Sequence, residues 1–190
     1  MSEVLEPRLT YADYLAAAEA SDVRLELAGT EILAMSGGSS AHARLAARLI
    51  RALGNALDGT PCEVYTSDMR VRRLDEPFAA YPDVTVVCGG EQVGDDDPHG
   101  LTNPRVVIEV LSPSTEAWDR GGKSAHYRRI PSVQEIVLVH QDKRTVEVHR
   151  RNEAGRFELF ESPADGRVEL VSVGVDLPMH DLYDGIVDVA

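Results

Sequence analysis

The chain has 190 residues, a length typical of one domain and sufficient to bury a core without staples. Its 32 acidic residues outnumber 19 Lys and Arg, and the formal charge of −13 argues against a constitutive nucleic-acid coat, whose affinity comes mainly from Lys and Arg on phosphates. A content of 43% hydrophobic and 27% charged residues excludes a disordered chain, and no apolar run of about 18 residues is present to span a membrane.

The acidic N-terminus Met1-Ser2-Glu3-Val4-Leu5-Glu6-Pro7 lacks the apolar centre of a secretory signal, so a cytoplasmic location is expected. Cys62 and Cys88 make neither a disulfide framework nor a zinc site.

In chain order, Thr10 is a candidate N-cap with Asp13 three residues on, and a short helix is predicted through Ala20. Val23 to Met35 alternates around Ala28-Gly29-Thr30, as a hairpin does. Leu45, Leu49, Ala52, Leu53 and Leu57 recur at helical spacing, so Ala41–Leu57 is the long helix, stopped by Gly59 and Pro61. Strands are predicted at Glu63–Leu74 and Asp83–Cys88. The polar stretch Gly89–Asn103 is expected as a loop, with Asp95-Asp96-Asp97 at a solvated tip.

Arg105–Leu111 is apolar at alternate positions of both parities, as in a strand covered on both faces. A helix follows from about Asp119 to Ile130, stopped by Pro131. Gln134–Arg151 is a second hairpin turning at Gln141-Asp142-Lys143, and a β-rich tail closes the chain. The expected fold is α/β of the mixed α+β kind: one domain over 1–190, with a central mixed β-sheet flanked by helices and hairpins at both ends. Its core spans about 9–151, and 152–190 form the tail.

Three residues carry the chemistry. Glu109 is surrounded by Val107, Ile108, Val110 and Leu111, and a buried carboxylate costs several kcal/mol unless a cation or donors compensate. Asp83 follows Pro82 at the opening of an apolar strand. Lys123 lies on the next helix, with His126 and Tyr127 on nearly the same face. Two strand carboxylates can hold Mg²⁺ through oxygen, and an ammonium can orient water and stabilise developing negative charge.

The ordered set of Arg24-Leu25-Glu26-Leu27 with Glu31–Ser36, Ser39-Ser40-Ala41-His42, Tyr81-Pro82-Asp83-Val84, Pro104–Thr115 with Asp119-Arg120, Lys123 and Tyr127, and Val137-Leu138-Val139 with Arg144–Val148 resembles the bacterial Uma family of restriction-endonuclease-like proteins, within the PD-(D/E)XK nuclease superfamily. The resemblance runs from about Leu9 to Leu182. It implies a restriction-endonuclease-like fold and an Mg²⁺- or Mn²⁺-dependent endodeoxyribonuclease. Asp83 and Glu109 would be the metal ligands, helped by the Val110 carbonyl. The superfamily lysine position is Leu111 here, which points to Lys123 as the migrated lysine. Glu26 would be a further site carboxylate. His42, Asp119 and Tyr127 are candidate accessory residues.

DNA is the implied substrate, with a homodimer and a separate specificity partner as candidate assemblies and no membrane partner. Arg70, Arg72, Arg73, Arg128 and Arg129 are local basic groups for phosphates. Two other functions remain open: a catalytically weak or silent interaction module on the same fold, and a phosphohydrolase acting on RNA or nucleotides.

Overall fold

The computed structural model describes residues 9–35 and 37–187. The acidic segment 1–8, Ser36 of the hairpin match and residues 188–190 lie outside the described residues.

Helix α1 (Tyr11–Glu19) starts on a reciprocal cap, in which Thr10 Oγ1 accepts from the Asp13 amide and Asp13 accepts from the Thr10 amide at 2.9 Å. Strands β1 (Leu25–Ala28) and β2 (Glu31–Ala34) form the expected antiparallel hairpin. Gly29 sits at φ 63°, a conformation that only glycine adopts without steric cost. Helix α2 (Ser40–Leu57) is capped by Ser39 and buries Leu45, Leu49, Leu53 and Leu57, one residue per turn along one stripe.

The following strands are β3 (Cys62–Thr66), β4 (Arg70–Arg73), β5 (Phe78–Ala80), β6 (Val84–Cys88), β7 (Val93–Gly94), β8 (Asp97–Leu101) and β9 (Val106–Leu111). Helix α3 (Glu116–Trp118) runs through a π-helical turn (Asp119–Lys123) into α4 (Ser124–Tyr127). Then come β10 (Glu135–His140), β11 (Val146–Arg151), β12 (Phe157–Ser162), β13 (Arg167–Leu170), β14 (Val175–Pro178) and α5 (Met179–Tyr183).

Two six-stranded mixed sheets result, in the orders β12-β11-β10-β9-β6-β3 and β2-β1-β5-β4-β8-β7, with β13-β14 as a separate ribbon. In the first sheet β9 and β10 are parallel and β6 is antiparallel to β9. All six residues of β9 are buried. Val106, Ile108 and Val110 join the core under α2, whereas Val107 and Leu111 join the cluster around Phe78, Tyr127 and Ile136. Period-two alternation puts Glu109 on the second face, toward Tyr127. No helix of the described residues is long and apolar enough to cross a membrane.

The structure corrects several sequence expectations. The stretch Glu63–Leu74 is two strands, β3 and β4, in different sheets. The Phe78–Ala80 strand was not expected. The helix placed at Asp119–Ile130 occupies Glu116–Tyr127, and the tail contains α5.

Residues 89–103 hold the β7–β8 hairpin rather than a plain loop. Asp97 there is 2% exposed, because it accepts from the Tyr11 hydroxyl at 2.6 Å and pairs with Arg70 at 3.3 Å. Arg72 and Arg73 are likewise buried, not solvated. Arg72 pairs with Asp96 and lies over the Tyr11 ring, and Arg73 pairs with Asp75 and Glu76. Cys62 and Cys88 face each other across β3 and β6 and form a disulfide.

Asp97→Ala leaves the Arg70 guanidinium and the Tyr11 hydroxyl without their acceptor, so it should cost about 2–4 kcal/mol in urea unfolding. Asp95→Ala, at an exposed position of the same acidic run, should stay within about 0.5 kcal/mol.

Candidate active site

A cleft of about 560 Å³ opens where β1, β6, β9 and the π-helical turn meet. Its charged lining comes from several distant parts of the chain: Glu26, His42, Asp83, Glu109, Asp119 and Lys123, with Arg24 beside them.

Asp83 lies one residue before β6. The β6–β9 ladder ends at the Val84–Ile108 pair, which frees the Val110 amide beyond it. That amide donates to Asp83 Oδ2 at 2.7 Å, and His42 Nε2 approaches the same oxygen at 3.2 Å. Asp83 Oδ1 accepts no hydrogen bond among the described residues. The contact with Asp83 outweighs burial and raises the His42 imidazole above its ordinary value, with the Val110 backbone adding to the rise.

Glu109 is 3% exposed at the centre of β9. Its Oε1 accepts from the Tyr127 hydroxyl at 2.7 Å and lies 3.4 Å from Lys123 Nζ. Its Oε2 accepts no hydrogen bond among the described residues. Burial pushes this carboxyl well above the usual range. Lys123 opposes the rise, and Asp119, Asp83 and Glu26 add to it.

Glu26, in mid-β1, is also buried. Both of its oxygens are engaged: Oε1 by the Tyr81 amide at 2.9 Å and Lys123 at 3.1 Å, Oε2 by Trp118 Nε1–H at 3.3 Å.

Lys123 closes the cluster. Its ammonium lies 3.0 Å from Asp119 Oδ1, in addition to its contacts with Glu26 and Glu109. Burial alone would lower its pKa, but Glu109, Glu26 and Asp119 outweigh burial and hold it well above the ordinary lysine value. The group is therefore a fixed cation and not a base. Asp119 Oδ1 has no hydrogen bond beyond this ion pair.

The helix geometry makes these contacts available. The π-helical turn widens the helix between Trp118 and Ser124, a local feature that recurs at functional sites. Gly122 has no side chain there, and the Trp118 ring occupies the space: a Cβ on Gly122 would lie 1.8 Å from Trp118 Cζ3. Arg120 ties the turn to the sheet, donating to Glu116 at 2.7 Å and to both oxygens of Glu147 at 2.6 and 2.8 Å. The Arg120 contact outweighs burial and, with help from His140, brings the Glu147 carboxyl down to about 2.

All the sequence-selected side chains, namely Glu26, His42, Asp83, Glu109, Asp119, Lys123 and Tyr127, thus gather in one cluster, and Val110 contributes its amide to Asp83. His126 does not join them, since it stacks on Phe78 with ring centroids 4.4 Å apart. Sequence reasoning missed Trp118, Gly122 and the Tyr81 amide. The chain's single tryptophan and a Gly-Gly pair inside a helical segment were the available signals.

Among the described residues no three His, Cys, Asp or Glu side chains form a ready-made metal cage. The donor set nevertheless suits a hard divalent cation. Four carboxylates face one lysine and one histidine, and the uncommitted oxygens of Asp83 and Glu109 are the ligand type that Mg²⁺ or Mn²⁺ takes.

The family model described as "Putative restriction endonuclease", Uma2, matches residues 11–180. The chain belongs to the Uma2 family. Two uncharacterized proteins of Synechocystis sp. are similar to it. One is 33% identical over 186 residues, covering 95% of this chain and 94% of the relative. The other is 35% identical over 133 residues, covering 70% and 75%. A crystal structure from Anabaena variabilis, described as a "putative nuclease belonging to DUF820", superposes with a TM-score of 0.74 at 20% identity, covering 92% of this chain and 97% of that one. That likeness establishes the mixed-sheet, nuclease-like fold that the Uma2 pattern implies.

Gly122→Ala should displace the Trp118 ring and shift the emission of this sole tryptophan, while Gly121→Ala, which meets open space, should leave the emission unchanged. Glu147→Gln should lower stability at neutral pH. Because the Glu147 carboxyl is depressed in the fold, its contribution is present above its ordinary 4.5 and lost as pH falls toward about 2. The difference between variant and wild type in urea midpoint should therefore close across that window.

Proposed function

We propose that this Uma2-family chain is a metal-dependent endonuclease that hydrolyses DNA phosphodiester bonds, acting as one domain. The observation that carries this reading is the convergence of Glu26, Glu109 and Asp119 on a single buried lysine with Asp83 beside them on His42, and with one oxygen each of Asp83 and Glu109 left uncommitted. Buried negative charge in such excess is costly unless a cation neutralises it.

Asp83 and Glu109 would hold Mg²⁺ or Mn²⁺, and the Val110 backbone adjoins them. When bound, such an ion supplies Lewis-acid polarisation of a phosphoryl oxygen and eases formation of hydroxide from water. The chain's own groups do the rest. Tyr127 and the Val110 amide each occupy one oxygen of a ligand carboxylate, which fixes the direction of the other. Lys123, held protonated, orients the attacking water by hydrogen bonding and stabilises negative charge developing on the phosphoryl group. Glu26 and Asp119 position its ammonium. Glu26, with both oxygens engaged by protein donors, acts through Lys123. His42 lies where an imidazolium can donate a hydrogen bond to a phosphate oxygen.

Membership of the Uma2 family supports nuclease chemistry. A silent module finds less support, since a buried Glu with no task costs stability.

The test is nicking of supercoiled plasmid by purified protein in Mg²⁺, in Mn²⁺ and in EDTA. Nicking is expected with either metal and not in EDTA. Glu109→Gln and Asp83→Asn should each lower the rate about 100-fold or more while circular dichroism stays native. Normal cleavage by both variants would refute the site.

A further inference from the structure

Trp118 is the largest apolar side chain in the protein, yet it belongs to none of the three hydrophobic clusters of the described residues. It is half-buried on the wall of the cleft that holds Glu109 and Lys123. It is also held in place twice, by the Nε1–H bond to Glu26 and by contact with Gly122. An aromatic ring fixed in one rotamer loses little entropy when a ligand lands on it. Leu33 and Met35 of the β1–β2 hairpin give the same cleft further apolar lining.

Charge is the second observation. Among the described residues, apart from Lys123 and His42 inside the cluster, Arg24 is the cation that lines the cleft, and it is ion-paired with Asp68. On the neighbouring β4, Arg70, Arg72 and Arg73 are committed to Asp97, Asp96 and Asp75. An intact duplex is held chiefly by Lys and Arg on its phosphates, and its base faces are covered by their neighbours. An unpaired base offers a free π-face, which an aromatic side chain binds without any cation.

We propose that Trp118 is a stacking platform for an unpaired base, so that the site takes single-stranded nucleic acid in preference to intact duplex. This rests on the nuclease reading above and names its substrate class. It is compatible with attack on supercoiled plasmid, where negative supercoiling opens short unpaired segments.

The test is fluorescence anisotropy with the full chain, with Ca²⁺ replacing Mg²⁺ to slow cleavage. The probes are a labelled single-stranded DNA, the RNA of the same sequence and the matching DNA hairpin duplex. At least one single strand should bind about 10-fold or more tighter than the duplex, and the better-bound sugar identifies the natural strand. The slope of log affinity against log salt should be shallow, below about 3 in magnitude.

Trp118→Ala should weaken single-strand binding about 10-fold or more, and Trp118→Phe less than about 3-fold. The Phe variant keeps a ring but lacks the N–H to Glu26. In Mg²⁺ it should therefore lose kcat while its KM stays near wild type, which separates stacking from support of Glu26. Equal or tighter duplex binding, or unchanged single-strand affinity in Trp118→Ala, would overturn the proposal. If plasmid is nicked while duplex is preferred, the nuclease reading stands and the substrate class falls. If no nucleic acid is bound or cut, both fall.

Discussion

The Lys123 ammonium is the interaction on which the cleft depends. It is a 4%-exposed cation within 3.4 Å of carboxylates from three separate elements: Glu26 of β1, Glu109 of β9 and Asp119 of its own helical turn. A buried lysine is stable only if paired, and buried carboxylates are stable only if neutralised. Each therefore requires the others. The cluster also joins the two sheets, since β1 belongs to one and β9 to the other.

Lysine alone does not balance the site. Glu26, Asp83, Glu109 and Asp119 face one ammonium and one imidazole, and the outcome is visible in Glu109, whose carboxyl is pushed upward by burial and by its acidic neighbours. Each of Asp83 and Glu109 spends one oxygen on a protein donor and keeps the other. That division distinguishes ligand candidates from Glu26, whose two oxygens are both taken. It supports the metal-dependent reading without requiring that three ligands be gathered beforehand.

The helix that carries Lys123 shows how local irregularity serves the site. A regular α-helix over Glu116–Tyr127 would change the spacing between Trp118, Asp119 and Lys123. The π-helical turn, the Gly122 vacancy filled by Trp118 and the Arg120 fork on Glu147 together fix the arrangement. The arginines of β4 are consumed in the same way. Arg70 and Arg72 bind α1 and the β7–β8 hairpin into the second sheet, and Arg73 holds Asp75 and Glu76 of the turn that follows β4.

Much of this was legible in the sequence. The capping box at Thr10, the leucine stripe of α2, the Gly29 turn and the doubly covered β9 are local patterns whose physics is complete within a few residues. The Uma2 pattern also selected Glu26, His42, Asp83, Glu109, Asp119, Lys123 and Tyr127 for one site, although they are spread from position 26 to position 127 of the sequence. The rest depended on contacts that no local pattern encodes. Asp97 reads as a loop acid until Tyr11 and Arg70 reach it. The chain from Glu63 to Leu74 reads as one strand until its halves enter different sheets, and two distant cysteines meet only when β3 pairs with β6. Residue types and spacings determined which groups could do chemistry. Tertiary structure alone decided which oxygen of each carboxylate is spent and which is left, because that depends on donors brought in from other strands.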